Sequence, residues 1–414
     1  MRFFLPNPNK SIFYGWKIVA ALFWINTILF GTTYIFGIFF KSLETDFHIS
    51  RAATSAIVSV YWVITAGVAV LGGWATERYG PRLILIMAFF TGLSLMLASQ
   101  VHIVWQLFIT YSLLLALGTG ALYVASMPLI FRWFEQKRGL ASGIALAGAS
   151  FGQVILAQLA TLLILKYDWR TAFLSLGLIA WLAMPLSLIL KRDPKEMGLL
   201  PDGRQSGAGA IRITSTTPPP DVFSMSSIFK VRSFWLISIL HFMFGICALM
   251  VGTHIVPHVI DIGFSVTQGA TVISIMGITS VAGFLLGGFV VDRMGAKRTV
   301  IFFVLAMAVV TAWLTNINSL WQIYLFAVLY GVTSGGVTPS LATFFAQTFG
   351  TKHIAKILGM IEVSWAIGAA TGPIIGGKLF DVNGNYIVAF WIAAIALIIA
   401  VLMAALVRRE TVSS

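Results

Sequence analysis

Charged residues are scarce in this sequence: they make up only 10% of 414 residues, against about 25% in a soluble domain. Hydrophobic residues account for 58%, and the mean hydropathy is +0.93. Because a soluble fold of this length cannot bury so much apolar side chain, the composition predicts a polytopic membrane protein. There is a single cysteine, Cys247, which excludes an internal disulfide and is interpreted as a small buried hydrophobic residue.

The sequence also lacks the motifs of nucleotide- and metal-dependent enzymes. It contains no P-loop, no metalloprotease helix and no dinucleotide-binding fingerprint in a strand-turn-helix setting. We therefore expect no enzymatic activity, no direct ATP drive, no cofactor and no metal. The first 14 residues lack the apolar core and cleavage site of a signal peptide. The first membrane helix is therefore expected to remain in the mature protein.

Long apolar runs are abundant instead. A helix needs about 20 apolar residues to span a bilayer. These unbroken runs differ from the alternating pattern of a membrane barrel, so they predict an all-α membrane protein with twelve transmembrane helices. The predicted runs are 15–40, 51–74, 83–100, 105–131, 139–165, 171–190, 232–257, 267–291, 299–315, 321–346, 357–379 and 386–408.

The positive charges are distributed unevenly between the two sides of this predicted bundle. With the N-terminus inside, the outer segments hold five of the 27 Lys and Arg residues: Lys41, Arg51, Lys166, Arg170 and Lys378. The positive-inside rule therefore predicts a multi-pass protein of the inner (cytoplasmic) membrane with both termini in the cytoplasm. The net charge of +13 is explained by this topology, and no nucleic-acid partner is expected.

A short charged stretch occurs twice in the chain. "GGWATERYGPR" begins at Gly72, and "GGFVVDRMGAKR" begins at Gly287, so that equivalent positions are 215 residues apart. A polar, Pro- and Gly-rich connector at 191–230 separates the two copies. The repeat predicts two pseudo-symmetric six-helix halves, 1–190 and 231–414, joined by this cytoplasmic connector.

The paired turns resemble the signature loops of the major facilitator superfamily, with Glu77 in place of the usual aspartate in the first copy. Two further stretches, "FGIFFKSLETDFHISRA" (36–52) and "WFEQKRGLASGIALAGASFG" (133–152), are similar to signatures of monocarboxylate transporters and of bacterial oxalate/formate-type relatives. The resemblance covers essentially the whole chain. It implies the major facilitator fold and a bacterial monocarboxylate transporter homologue.

The resemblance also implies a gating role for the paired turns. In that family these loops join the two halves on the cytoplasmic side and stabilise the outward-open state. The alternative, a solvated loop that obeys the positive-inside rule, explains the arginines but not the repeated glycine and acid spacing. The gating residues predicted here are Glu77, Arg78, Arg82, Asp292 and Arg293.

A substrate site is expected near the bilayer midplane, between the halves. No Lys or Arg lies near the centre of any predicted span, and Tyr34, Ser280 and Phe284 stand where animal monocarboxylate transporters have Lys, Asp and Arg. The ion-pair switch of that family therefore does not carry over. Neutral side chains that hydrogen-bond a carboxylate, or else a neighbouring helix, are the predicted substrate ligands: Asn26, Tyr34, Tyr123, Tyr330 and Ser364.

Ionisable residues inside spans are functional candidates by default. We predict His254 as the proton carrier, since imidazole titrates near ambient pH; the alternative is a histidine bonded to a neighbouring helix. His254, His258 and Asp261 share one helical face, which is only weak support for a metal site. Glu362 is expected to pair with Lys356 or Lys352, or to belong to the inner gate. His241 is expected to bond a neighbouring helix.

These patterns predict a secondary active transporter of small monocarboxylates of the L-lactate or pyruvate type. Proton symport by alternating access is the expected mechanism, because a carboxylate accompanied by a proton is easier to desolvate than the bare anion. The expected partners are the substrate, a proton and the lipid bilayer, and the expected functional unit is a monomer. The alternatives are an anion exchanger of the oxalate/formate type, an exporter of an amphipathic drug or siderophore, and a non-transporting membrane sensor.

Overall fold

The computed structural model is a bundle of long helices, and it describes residues 13–33, 35–49, 51–203, 228–351 and 353–407. The first six helices are α1 (Tyr14–Thr33, continued by Phe36–Phe47), α2 (Arg51–Tyr79), α3 (Arg82–Ala98), α4 (Val104–Trp133), α5 (Arg138–Lys166) and α6 (Trp169–Ser187). The second six are α7 (Arg232–Asp261), α8 (Val266–Met294), α9 (Ala296–Leu314), α10 (Leu320–Phe349), α11 (Ile354–Asn383) and α12 (Ile387–Leu406).

The helices match the predicted apolar runs and confirm the predicted fold class. Within the described residues, eleven segments are long and apolar enough to cross a membrane, and α3 is a shorter apolar helix of 17 residues. Several helices extend past the predicted boundaries, because a helix continues through polar residues until the backbone changes direction. Thus α2 runs beyond the apolar run 51–74 and ends where Gly80 adopts a φ of +61°, a conformation that favours glycine.

Two helices of the first half are irregular along their length. The path of α1 breaks at Ile35, with φ −99° and ψ 6°. A π-helical turn (Phe108–Leu113) lies within α4, and the helix breaks again at Ala121, with φ −105° and ψ 6°. The second break comes two residues before Tyr123.

Helices α1–α6 and α7–α12 form two bundles that meet mainly along two pairs of helices. Within the first bundle α1 packs on α5, and within the second α8 packs on α10 and α7 on α11. Between the bundles, α5 packs on α8 and α2 on α11. We name the end of the molecule at which α2 ends and α3 begins the connector face. The predicted boundaries of the halves and connector stay predictions, and residues 204–227 lie outside the described residues.

Candidate functional site between the two halves

Two glycines of the repeated turns bring the halves together at the connector face. A Cβ atom on Gly73 would lie 2.6 Å from the Ala355 carbonyl oxygen at the start of α11. A Cβ atom on Gly288 would overlap the Gly139 carbonyl oxygen at the start of α5. Because real Cβ atoms do not approach so closely, glycine is required at both positions. The two glycines are equivalent in the repeat, so the same close approach occurs twice.

Glu77 forms an ion pair across the interface next to the first glycine contact. Its Oε2 atom lies 2.6 Å from Nζ of Lys356 and 3.5 Å from Nδ1 of His353. The Glu77 side chain is only 16% exposed, so water screens this pair less than it screens a surface pair. Arg192 donates to the backbone carbonyl of Glu77 at 2.6 Å and holds the turn. We call the Glu77–Lys356 contact the Glu77 latch.

Asp292 forms the equivalent contact at the second glycine approach, with different chemistry. Its Oδ1 atom accepts a hydrogen bond from the Gly139 backbone N–H at 2.8 Å, and Oδ2 accepts one from Leu140 at 2.9 Å. The first N–H groups of a helix have no partner within the helix, and the helix dipole favours negative charge there. The Asp292 carboxylate therefore caps α5 from the other half. We call this contact the Asp292 latch.

The predicted arginines of the repeated turns have other neighbours. The guanidinium of Arg78 lies 5.5 Å from the Trp74 ring centroid, and that of Arg293 lies 4.1 Å from the Phe289 centroid. Arg82 lines a pocket on the connector face. Among the described residues, the polar contacts that join the halves at this face are made by the acids rather than by these arginines. A gating role for all five predicted residues stays a prediction.

A buried histidine and a buried acid lie deeper between the halves. His241 Nε2 is 4.0 Å from Glu362 Oε1, and the two side chains are 8% and 19% exposed. His241 is nine residues into α7 and Glu362 eight residues into α11, so both lie about 12–14 Å from the connector-face ends of their helices. His241 Nδ1 is also 3.4 Å from the Ile361 carbonyl oxygen. We call these two residues the central pair.

Aromatic residues from both halves surround the central pair. The Trp365 ring, one turn after Glu362, meets the Trp62 ring of α2 edge-on at 5.0 Å. The His241 ring meets Phe345 of α10 at 5.5 Å. From the first half, Tyr123 stands on the part of α4 that packs on α11. The pair therefore lies at the boundary between the halves, where aromatic rings exclude water.

The central pair corrects the expected partner of Glu362. Lys356 pairs with Glu77 instead, because it lies in the first turn of α11 at the connector face, whereas Glu362 lies more than a turn deeper. The other expected partner, Lys352, lies outside the described residues. The sequence could have indicated this pair, since α7 and α11 begin at the same face and His241 and Glu362 lie at almost equal depth along them. Comparing those depths identifies the pair.

Two of the predicted substrate ligands lie inside the individual halves. Asn26 is fully buried and donates from Nδ2 to the Ala145 carbonyl at 2.8 Å, which joins α1 to α5. The Tyr330 hydroxyl is buried beside the Cys247 thiol and has no conventional hydrogen-bond partner within the described residues. These contacts are those expected of packing within a bundle, and the substrate-binding role of both residues stays a prediction.

The other predicted site residues have different locations. Tyr34 lies outside the described residues, and Ser364 is half-buried on α11. His254 is 8% exposed, and its Nε2 atom is 2.9 Å from the Pro373 carbonyl oxygen. A carbonyl only accepts, so Nε2 donates there. The His254 ring also lies 4.9 Å from the Tyr386 ring, which places it between α7 and α11 within the second half.

The family of the chain follows from comparison with known proteins. The family model of the Major Facilitator Superfamily matches residues 22–309 and 255–414. The chain belongs to this superfamily. Its fold is similar to that of the proton:xylose symporter XylE (TM-score 0.74, 16% identity, 94% of each chain covered). It is also similar to FucP in its outward conformation (TM-score 0.72, 14% identity, 94% of this chain and 97% of that one).

Curated relatives narrow the resemblance to monocarboxylate transporters. Monocarboxylate transporter 13 of Bos taurus is 25% identical over 394 residues, covering 92% of this chain and 86% of the relative. Monocarboxylate transporter 12-B of Danio rerio is 27% identical over 409 residues, covering 93% and 85%. The predicted resemblance is therefore confirmed. Since the superfamily and these relatives are transporters, the chain is a membrane transporter and not an enzyme.

One position at which the sequence departs from the animal transporters lies at the contact between the halves. Ser280 of α8 has its Oγ atom 2.7 Å from Oγ of Ser150 on α5. Four residues further along α8, the backbone carbonyl of Phe284 adjoins Gly143 of α5. Small polar and backbone groups thus fill the place for which the resemblance implied an ion pair. The ionisable residues of the interior are on α7 and α11 instead.

Proposed function

We propose that this superfamily member transports small monocarboxylates of the L-lactate or pyruvate type together with a proton, by alternating access. The observation that carries the proposal is the central pair, His241 and Glu362, buried 4.0 Å apart at the boundary between the halves. The similarity to monocarboxylate transporters supports the substrate class. Ionisable side chains at membrane depth mark substrate and proton pathways.

The charge of the central pair explains why a proton must accompany the anion. When Glu362 is ionised, its negative charge opposes entry of a carboxylate into this poorly hydrated space. Once Glu362 holds a proton, its O–H group and an N–H of His241 are both available to donate to the substrate carboxylate. The Tyr123 hydroxyl supplies a third donor from the opposite half. Proton binding thus prepares the site for the anion.

This scheme also keeps the charge of the moving protein constant. The empty site carries one negative charge, on Glu362. The loaded site carries one negative charge as well, because the added proton neutralises Glu362 while the substrate contributes its own carboxylate. Both forms therefore face the same electrostatic cost when the halves rock. Transport of one proton with one monocarboxylate is then electroneutral and follows the pH gradient.

The two latches support a state closed at the connector face. We propose that this face is cytoplasmic, as the distribution of Lys and Arg predicts, and that the state is outward-facing. Breaking the latches at the connector face would open the central pair to the cytoplasm. The proposed setting is the inner (cytoplasmic) membrane with both termini inside, and the proposed functional unit is a monomer that binds no nucleic acid.

The test is uptake of labelled L-lactate by proteoliposomes of the purified protein. We expect accumulation when the outside is more acidic. We expect none without a pH gradient, and none when a proton-conducting uncoupler collapses the gradient. Uptake that requires an internal counter-anion and ignores the gradient would replace symport with exchange of the oxalate/formate type. Absence of uptake for lactate and pyruvate would remove the proposed substrate class and favour the export of other molecules.

A substitution at the central pair tests the coupling itself. Glu362→Gln resembles the protonated acid, so it should bind the anion without a proton. We expect this variant to lose gradient-driven accumulation but to keep exchange of external for internal lactate. Glu135→Gln, an exposed acid at the connector face, is the matched control and should behave as wild type. Gradient-driven accumulation that persists in Glu362→Gln would contradict the proposed role of the pair.

A further inference from the structure

A pocket on the connector face concentrates positive charge away from the contact between the halves. It lies between the end of α2, the start of α3 and the segment after α6, and its volume is about 480 Å³. Four cations line it, Arg78, Arg82, Lys191 and Arg192, together with a single acid, Glu196. The lining therefore carries a formal charge of +3, and neither latch acid is part of it.

Two of the cations are held in place by the local fold. Arg192 reaches back to the Glu77 carbonyl at 2.6 Å, and its methylene groups pack beside Gly80. Arg78 lies against the Trp74 and Tyr79 rings, 5.5 and 5.6 Å from their centroids. These contacts orient two of the four cations that line the pocket, although like charges repel one another. Convergent cations of this kind are expected where an anionic ligand compensates them.

Apolar side chains continue from the pocket along the outer surface. Leu85, Leu188 and Leu190 belong to the lining. Leu188 is 70% exposed, and Ile86 of α3 and Leu182 of α6 are 47% and 58% exposed. On a helix that crosses a bilayer, such side chains face acyl chains. The cations therefore stand at the end of an apolar surface, at the depth where lipid headgroups lie.

We propose that this pocket binds the phosphate headgroup of an anionic phospholipid, whose acyl chains lie against α3 and α6. A charge of +3 next to an apolar surface is complementary to an amphiphile with a negative head, whereas a free anion would use only the cations. Basic pockets between transmembrane helices are suited to such headgroups. The site is independent of the transported substrate and of the direction of transport.

The pocket also links the lipid to the Glu77 latch. Arg78 follows Glu77 directly in the chain, and Arg192 holds the Glu77 carbonyl. A phosphate that draws these two guanidinium groups together fixes the backbone at the end of α2. The bound lipid therefore stabilises the position of the Glu77 carboxylate opposite Lys356.

The experiment measures lipids retained by the purified full-length protein, by native mass spectrometry after exchange into detergent with phosphatidylglycerol or phosphatidylcholine of equal acyl chains. We expect retention of phosphatidylglycerol and not of phosphatidylcholine. Arg82→Gln with Lys191→Gln should weaken retention roughly thirtyfold, which is about fivefold per cation. Inorganic phosphate at millimolar concentration should not displace the lipid.

Matched variants separate the site from general charge. Arg298→Gln with Lys230→Gln removes two exposed cations from the same face and should retain phosphatidylglycerol as wild type does. Arg82→Lys with Lys191→Arg preserves the charge and should also retain phosphatidylglycerol. Retention in this variant assigns the loss in the Gln variant to the missing charge rather than to misfolding. Equal retention of both lipids, unchanged retention in the Gln variant, or displacement by inorganic phosphate would each overturn the proposal.

Discussion

The Glu77 carboxylate lies 2.6 Å from the Lys356 ammonium and joins the end of α2 to the start of α11. Asp292 occupies the equivalent place in the second half but caps the backbone N–H groups of Gly139 and Leu140. The longer glutamate reaches a side chain, and the shorter aspartate reaches the main chain. The two latches are related by the internal repeat, yet they respond differently to substitution.

Removing both charges should open the connector face. We expect Glu77→Gln with Asp292→Asn to weaken the closed state, because a hydrogen bond to a charged group contributes about 1.5–3 kcal/mol. That is roughly a tenfold or larger change in the ratio of the two states. The measurement is thiol labelling of Ala355→Cys, a position that is 3% exposed, in a Cys247→Ser background. Labelling of this cysteine from the connector face should become faster. Access of thiol reagents to the space between the halves from the opposite face should fall.

The control for this experiment is Glu135→Gln, which removes an exposed acid from the same face without touching a latch. It should label at the wild-type rate. If the double latch variant also labels and transports at wild-type rates, the acids do not hold the halves closed. The interface would then be maintained by helix packing alone.

Charge exchange should distinguish the two latches. Glu77→Lys places two ammonium groups together and should impair transport, and Glu77→Lys with Lys356→Glu should restore much of it by reversing the ion pair. Asp292→Lys puts a positive charge at the N-terminus of α5, where the dipole is unfavourable, and the latch contains no cation to reverse. The measurement is transport rate at equal protein levels. Failure of the double exchange at the Glu77 latch would contradict a simple ion pair.

The glycine contacts give a prediction that does not depend on charge. Gly288→Ala would overlap the Gly139 carbonyl, so the halves cannot close fully at the connector face. We expect faster labelling of Ala355→Cys and slower transport. Gly377→Ala is the matched control, since a Cβ there has no neighbour within 4 Å and alanine favours a helix by about 1 kcal/mol. Equal behaviour of the two variants would contradict the steric argument.

The fold and both latch acids could be predicted from sequence because each leaves a local pattern. Apolar runs of membrane length appear directly, and the repeat aligns Glu77 with Asp292 and Gly73 with Gly288. The opposite partner of each acid could not be read in this way. Lys356 is also close in sequence to Glu362, and only helix direction and depth decide which acid it meets.

The candidate site was predicted less well, because a side chain's type does not determine the neighbour it faces. Tyr123 and Tyr330 look equivalent in sequence, since both are phenols within apolar helices. The break at Ala121 brings Tyr123 near Glu362, whereas Tyr330 lies beside Cys247 inside one half. The assignment depends on rotation about the helix axis, which a run of apolar residues leaves open.

The two tyrosines should therefore differ in their effect on substrate affinity. Tyr123→Phe removes a hydroxyl that the proposed site directs at the carboxylate, which should weaken affinity roughly ten- to a hundredfold. Tyr330→Phe removes a buried hydroxyl without a conventional partner in the described residues, and loss of such a group costs little. Competition by unlabelled lactate gives the affinities. Wild-type affinity in Tyr123→Phe would assign its hydroxyl to packing.

The identity of the proton carrier can be decided between His254 and the central pair. His254→Gln keeps hydrogen-bonding capacity and removes titration, and its amide N–H can still donate to the Pro373 carbonyl. If His254 carries the proton, as the sequence predicts, gradient-driven lactate accumulation collapses while exchange persists. If the central pair carries it, His254→Gln accumulates lactate at the wild-type level, and the collapse appears in Glu362→Gln instead.

His241→Gln should then retain gradient dependence but bind lactate more weakly, because it keeps the acid and disturbs one donor. The structure favours the central pair, because His241 and Glu362 lie beside the contact with the first half, whereas His254 is hydrogen-bonded to the Pro373 carbonyl inside the second half. Loss of accumulation in His254→Gln with Glu362→Gln fully coupled would reverse this assignment and place the proton pathway at His254, beside Pro373 and Tyr386.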